Sequence, residues 1–221
     1  MNLVVVKVGG AVASASAGAV LELARENQVC VVHGAGPQIS AEMTRAGIPV
    51  EFVDGRRVTS EAGIAIVRSS LAAVNAQLCE ALGTQAVPLF GDEIGLKATR
   101  VESLGLVGDP VPSRPAEVIE ALDEGWIPVV APIASGPLNV NADEAAAALA
   151  VGIDADELLF LTDVDGLLMD GQVVDSIDVA AATALLDSGS LEGGIIPKLH
   201  AAVTAARNGV PAWIGETAVI A

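Results

Sequence analysis

The sequence predicts an α/β sandwich built around a mainly parallel sheet, and three observations carry that expectation. Short apolar runs alternate with longer stretches of helical periodicity along the 221 residues, the pattern of repeated strand–helix units. The runs are continuously apolar, as in the valines at 4–6, and so suit strands buried on both faces. Glycine-rich and polar clusters follow several runs directly, where a parallel sheet opens its ligand crevice.

Residues 3–8 form the first expected strand, and a helix follows to about residue 26. A strand over 29–32 leads into a helix from Pro37 to about Ala46. The pattern over 60–82 reads as one long helix, capped by Thr59, Ser60 and Glu61 with an acid in its first turn. Glycines and alternating residues over 96–110 have the look of a hairpin. A strand over Ile127–Ala131, a helix from Ala142, a strand over 158–162, helices from Val179 and from Lys198, and a strand over 211–214 complete the alternation. A soft boundary near residue 155 divides this single domain into two expected lobes, 1–154 and 155–221.

At 52% hydrophobic residues the chain can bury a large core, and 11 basic against 28 acidic residues leave a net charge of −17. Such a field opposes nucleic acid and anionic membrane, so any anionic substrate must meet a local positive cluster. Cys30 and Cys79 have no Cys or His neighbours at ligand spacing and fit a reducing cytosol. Lys7 interrupts the only apolar run near the N-terminus, so neither a signal peptide nor a membrane span is expected there, and the expected location is cytoplasmic.

Two of the three lysines stand beside glycine pairs. Lys7 closes the first strand just before Gly9 and Gly10, a place where an ammonium needs a carboxylate or a bound phosphate as partner. Lys198 follows Gly193 and Gly194. His33-Gly34-Ala35-Gly36-Pro37 joins a strand to a helix, a geometry that suits a phosphate and equally a plain tight turn. Ile39 stands where a dinucleotide fingerprint needs its third glycine, and no Gly-Lys-Ser/Thr occurs, which excludes a P-loop. Arg56 and Arg57 offer either a grip on a carboxylate or a surface pair. Asn139-Val140-Asn141-Ala142-Asp143-Glu144 reads as a helix cap, with Asn141 as N-cap and Glu144 as its capping-box partner; capping leaves Asn139 unexplained. Thr162, Asp163, Asp165 and Gly166 suit a ribose, a metal-bound water or an ordinary turn.

Taken in order, Lys7-Val8-Gly9-Gly10, His33-Gly34-Ala35-Gly36-Pro37-Gln38, Gly55-Arg56-Arg57-Val58-Thr59, Asn139-Val140-Asn141-Ala142-Asp143, Leu161-Thr162-Asp163-Val164-Asp165-Gly166 and Gly193-Gly194-Ile195-Ile196-Pro197-Lys198 resemble the amino acid kinase superfamily, and within it the acetylglutamate kinases. The resemblance runs from the first residues to about Gly209. It implies a three-layer αβα sandwich and transfer of the γ-phosphoryl of ATP, with Mg2+ held mainly by the nucleotide phosphates, to the side-chain carboxylate of N-acetyl-L-glutamate. It further implies that Lys7 and Lys198 approach the phosphoryl group from two sides and that Asp143 orients both. Ala35, Gly36, Arg57 and Asn139 would hold the acceptor. Gly9, Gly10, Thr162, Asp163, Val164, Asp165, Gly166, Leu167, Leu168, Ser190, Leu191 and Glu192 would serve the nucleotide. Relatives acting on carrier-linked aminoadipate or on another small acid, and a weakly active ligand-sensing homologue, are the alternatives.

Ala35 replaces a frequent family glycine, and residues 213–221 end the chain where family members usually continue. No helix precedes Leu3. Beside the resemblance, these features lead to the expectation of a more open adenine pocket and of an arginine-insensitive homodimer joined through the helix over 60–82.

Overall fold

In the computed structural model, which describes every residue except 11, 12, 14, 163 and 170, the first apolar run forms β1 (Asn2–Val8) at the centre of the sheet. Successive strand side chains point to opposite faces. Val4, Val6 and Val8 therefore join one hydrophobic cluster and Val5 joins the other. Strands β2 (Asn27–His33), β3 (Ala86–Phe90), β4 (Ile127–Ala131), β5 (Glu157–Leu161), β6 (Ser176–Asp178), β7 (Ala212–Ile214) and β8 (Thr217–Ile220) complete an eight-stranded sheet ordered β6-β8-β7-β5-β1-β2-β4-β3. Its neighbours run parallel except for β7 and β8.

One face of the sheet is covered by α1 (Ala17–Leu23), α2 (Gly36–Arg45) and α3 (Glu61–Leu82). The other is covered by α4 (Ala116–Asp123), α5 (Ala142–Gly152), α6 (Val179–Asp187) and α7 (Ile195–Arg207). These are the three layers of the expected sandwich. α3 is capped as expected, Ser60 Oγ accepting from Gly63 N at 3.1 Å. By length and composition α3 could cross a membrane, yet Val67, Leu71, Val74 and Leu78 bury one of its faces in the core shared with α1, α2 and the sheet.

Three features differ from the sequence expectation. α7 begins at Ile195 and not at Lys198, because a proline inside the first helical turn removes an N–H that has no intrahelical partner in any case. Residues 217–220 form β8, which pairs antiparallel with β7 across the turn at Gly215 and parallel with β6, so this segment extends the sheet. β3 and α4 add a strand and helix that no motif marked.

Two smaller units stand over the carboxyl end of the sheet. Strands Ala98–Arg100, Val107–Pro110, Leu138–Val140 and Ile133–Ala134 form a four-stranded sheet, whose Ala98–Arg100 and Val107–Pro110 pair is the expected hairpin. Phe52–Val53 pairs with Arg56–Arg57 as a minimal hairpin. Its turn residues Asp54 and Gly55 both have positive φ, 49° and 76°, as a two-residue hairpin turn matching strand twist requires.

Candidate active site

Alternation along β1 turns Lys7 to the same face as Val5, toward α5, and Asp143 waits in the first turn of α5. The ammonium and Asp143 Oδ1 meet at 2.8 Å with side chains only 8% exposed each. α5 begins where it does because Asn141 Oδ1 accepts from Asp143 N at 2.8 Å and from Glu144 N at 3.3 Å. The Asn141 cap is as expected. Glu144 is not its capping-box partner: its carboxylate accepts from Arg56 Nε at 3.0 Å on both oxygens.

The turns after β1 and β2 press against each other. A Cβ on Gly10 would lie 2.6 Å from Gly34 O and 2.8 Å from Ala35 Cα, so only glycine fits at Gly10. Gln38 Nε2 donates to Gly10 O at 2.9 Å, and Gly34 N donates to Val8 O at 2.9 Å. Ala35 is the N-cap of α2 and Gly36 its first residue, so the positive end of the α2 dipole faces the same place. Just before this loop His33 is fully buried, with Nε2 3.1 Å from Asn75 Nδ2 and Nδ1 3.3 Å from Gly34 O. Desolvation lowers its pKa to about 4, so it is a neutral strand-end histidine.

Arg57 is no surface residue. It is 6% exposed, lies 4.5 Å from the centre of the Phe52 ring, and donates through Nη2 to Gly36 O at 3.0 Å and Ser40 Oγ at 2.8 Å. Desolvation lowers its pKa, and among the described residues no carboxylate pairs with it. Asn139 Nδ2 donates to Thr59 Oγ1 at 2.9 Å, and that hydroxyl donates to Arg57 O at 2.8 Å. Ser40 and Phe52 were not singled out from sequence, where their neighbourhood to the motifs was the only signal, and Thr59 was marked as a helix cap and motif residue but not as a partner of Asn139.

Lys7, Gly9, Gly10, Ala35, Gly36, Arg57, Asn139 and Asp143 line one cavity of about 300 Å³. Thr162, Val164, Asp165, Gly166, Leu167, Leu168, Leu191, Glu192 and Lys198 line a second, of about 540 Å³. Lys198 Nζ donates to Gly194 O at 3.3 Å. Gly9 and Gly10 thus stand with Lys7 and the expected acceptor residues and not in the cavity of the other expected nucleotide residues. Ser190 is outside that lining as well, its hydroxyl 2.7 Å from Ser188 Oγ. Asp163 lies outside the described residues.

A mainly parallel sheet between two helical layers, with one cavity lined by Lys7 and another by Lys198, defines a class of α/β protein. The chain belongs to the amino acid kinase family, whose model matches residues 2–216. It is 44% identical over 227 residues to the acetylglutamate kinase of Rubrobacter xylanophilus, covering 97% of this chain and 88% of that protein. The crystal structure of smu.665 from Streptococcus mutans has a TM-score of 0.88 at 29% identity and covers 99% of this chain and 98% of that one. The carbamate kinase of Giardia lamblia bound to AMP-PNP shares the fold, with a TM-score of 0.72 at 17% identity over 99% and 98% of the two chains.

Proposed function

We propose that this protein transfers the γ-phosphoryl group of ATP to the side-chain carboxylate of N-acetyl-L-glutamate, giving N-acetyl-L-glutamyl 5-phosphate for arginine biosynthesis. The observation that carries the reading is Arg57, a buried guanidinium with no carboxylate partner among the described residues, lining the smaller cavity. A desolvated cation in a chain of charge −17 favours an anionic occupant, and a guanidinium fork matches a carboxylate. Arg57 and Asn139 hold the α-substituents of the acceptor, with Ala35 and Gly36 presenting backbone around it.

A carboxylate is already a nucleophile and needs no general base. Catalysis then reduces to alignment and charge neutralisation during in-line transfer. Lys7 takes the phosphoryl oxygens from the acceptor side, its geometry fixed by Asp143, and Lys198 takes them from the nucleotide side. The turn at Gly9 and Gly10, which lines the same cavity as Lys7, offers backbone N–H groups to the transferred group. ATP occupies the larger of these two cavities, along Thr162, Val164, Asp165, Gly166, Leu167, Leu168, Leu191 and Glu192, and Ser190 and Asp163 are assigned to the nucleotide on the motif resemblance. Mg2+ is carried mainly on the nucleotide phosphates, whose oxygens are the hard donors this ion takes.

The smaller cavity draws on residues 7–143 and the larger on 162–198, which supports an acceptor lobe over 1–154 and a nucleotide lobe over 155–221. The enzyme works in the cytoplasm as a homodimer joined through α3. ATP turnover with N-acetyl-L-glutamate, L-glutamate, carbamate and aminoadipate tests the acceptor. Turnover confined to N-acetyl-L-glutamate is expected; preference for another acid, or no turnover with any, would reject the reading.

A further inference from the structure

The hairpin that brings Arg57 to the cavity has two residues in each strand and little to rest on. Phe52 and Val53 are 56% and 45% exposed. Behind the hairpin lies a cavity of about 630 Å³, reaching from Val53, Asp54 and Arg56 to α5 and to Thr204 of α7. An isolated two-stranded hairpin is marginal in water, so its position must come from contacts with neighbouring elements.

Beside the bonds from Arg57 to Gly36 and Ser40 of α2, those contacts converge on the first turn of α5. Asn141 Nδ2 donates to Gly55 O at 3.0 Å. Arg56 Nε donates to Glu144 Oε1 and Oε2 at 3.0 Å each, and Arg56 Nη2 donates to Asp109 Oδ1 at 2.5 Å. Because strand side chains alternate, Arg56 points away from Arg57, toward α5 and the Val107–Pro110 strand. One helical turn thus holds Gly55 through Asn141, Lys7 through Asp143 and Arg56 through Glu144.

We propose that Arg56, clamped between Glu144 and Asp109, is a positioning residue that latches the hairpin to α5 and so fixes Arg57 in the acceptor cavity. The inference rests on the reading that Arg57 grips the acceptor. The latch has a second effect. The Arg56 and Glu144 side chains are 21% and 22% exposed, and Glu144 is adjacent in sequence to Asp143. Without Arg56, a half-buried carboxylate on the cavity behind the hairpin would place uncompensated negative charge one residue from Asp143. Burial already raises the pKa of Glu144 against the pull of Arg56, which marks how much this carboxylate depends on its partner.

The test compares Arg56→Leu, Glu144→Gln, the double variant and Arg56→Lys. Each is measured for Michaelis constants toward N-acetyl-L-glutamate and ATP and for amide hydrogen exchange over residues 52–57. Arg56→Leu should raise the acceptor constant about five- to tenfold, leave that for ATP within about twofold, and speed exchange in the hairpin. Glu144→Gln should move the same quantities less, and the double variant should be no worse than Arg56→Leu alone, because both changes remove one interaction. Arg56→Lys, which keeps the charge without the fork, should recover part of the loss. Additive single effects, unchanged hairpin exchange, or equal rises for both substrates would overturn the latch. If the wild type turns over another acid instead, the acceptor reading fails while hairpin exchange still decides the latch.

Discussion

Lys7 and Asp143 show at single residues how a buried ion pair divides its effects between stability and chemistry. Removing one partner leaves the other charge buried and unpaired, whereas removing both does not. Lys7→Met is therefore expected to lower the melting temperature and also to reduce kcat by on the order of 10²–10³, the scale of losing one preorganised electrostatic group. Adding Asp143→Leu should restore most of the melting temperature and none of the rate. A double variant with recovered kcat, or Lys7→Met at wild-type kcat, would return the pair to a purely structural role. Arg57→Ala should raise the Michaelis constant for the acceptor on the order of 100-fold with little change for ATP, since the proposed bonds are to the acceptor alone. Equal changes for both substrates in a steady-state titration would contradict that assignment. Sequence marked Arg56 and Arg57 together but gave no means of separating them, because their roles depend on Glu144, 88 residues away, and on Ser40, 17 residues away.

At the scale of elements, β2, α3 and β4 are stitched together by buried polar groups. Asn75 of α3 donates to Val129 O of β4 at 2.9 Å and meets the His33 ring at the end of β2. This joint supports the loop at Gly34 and Gly36 from beneath, and it tolerates only the neutral imidazole. Above pH 6.5 both folded and unfolded states are neutral at His33, which then contributes no slope. Between 6.5 and about 4 the unfolded chain binds the proton first, so stability falls with falling pH, by a total of about 3 kcal/mol across that window. Melting temperatures followed through the window should fall more steeply for the wild type than for His33→Gln, and parallel curves would show that His33 is not the group responsible. Strand ends such as Lys7 and His33 were legible because continuous apolar runs stop at them. Element boundaries with mixed signals were less so. Pro197 reads as a helix breaker until its first-turn position is known, and the parallel pairing of β8 is with a strand, β6, that lies some forty residues earlier and is only three residues long.

For the whole molecule, the question is what apolar surface remains once both layers are packed on the sheet. α3 is rich in apolar residues, yet its buried positions, among them Val67, Leu71, Val74 and Leu78, lie along one face. Ala62, Ala65, Ser69, Ala73 and Ala76 are exposed, and small side chains allow two helices to approach closely. The proposed homodimer would bury this face, and the charge of −17 on each chain opposes the association through long-range repulsion that salt screens. Light scattering should therefore give twice the chain mass of 22.2 kDa at physiological ionic strength and a lower average mass at low salt. Ala73→Arg, which puts a bulky charged side chain in the middle of the exposed face, should give the single-chain mass at both. Ala73 lines neither cavity, so this variant should keep most of its kcat. A wild type that scatters as a single chain at every salt concentration would leave the alanine face as ordinary surface, and an Ala73→Arg variant that remains dimeric would move the interface off α3.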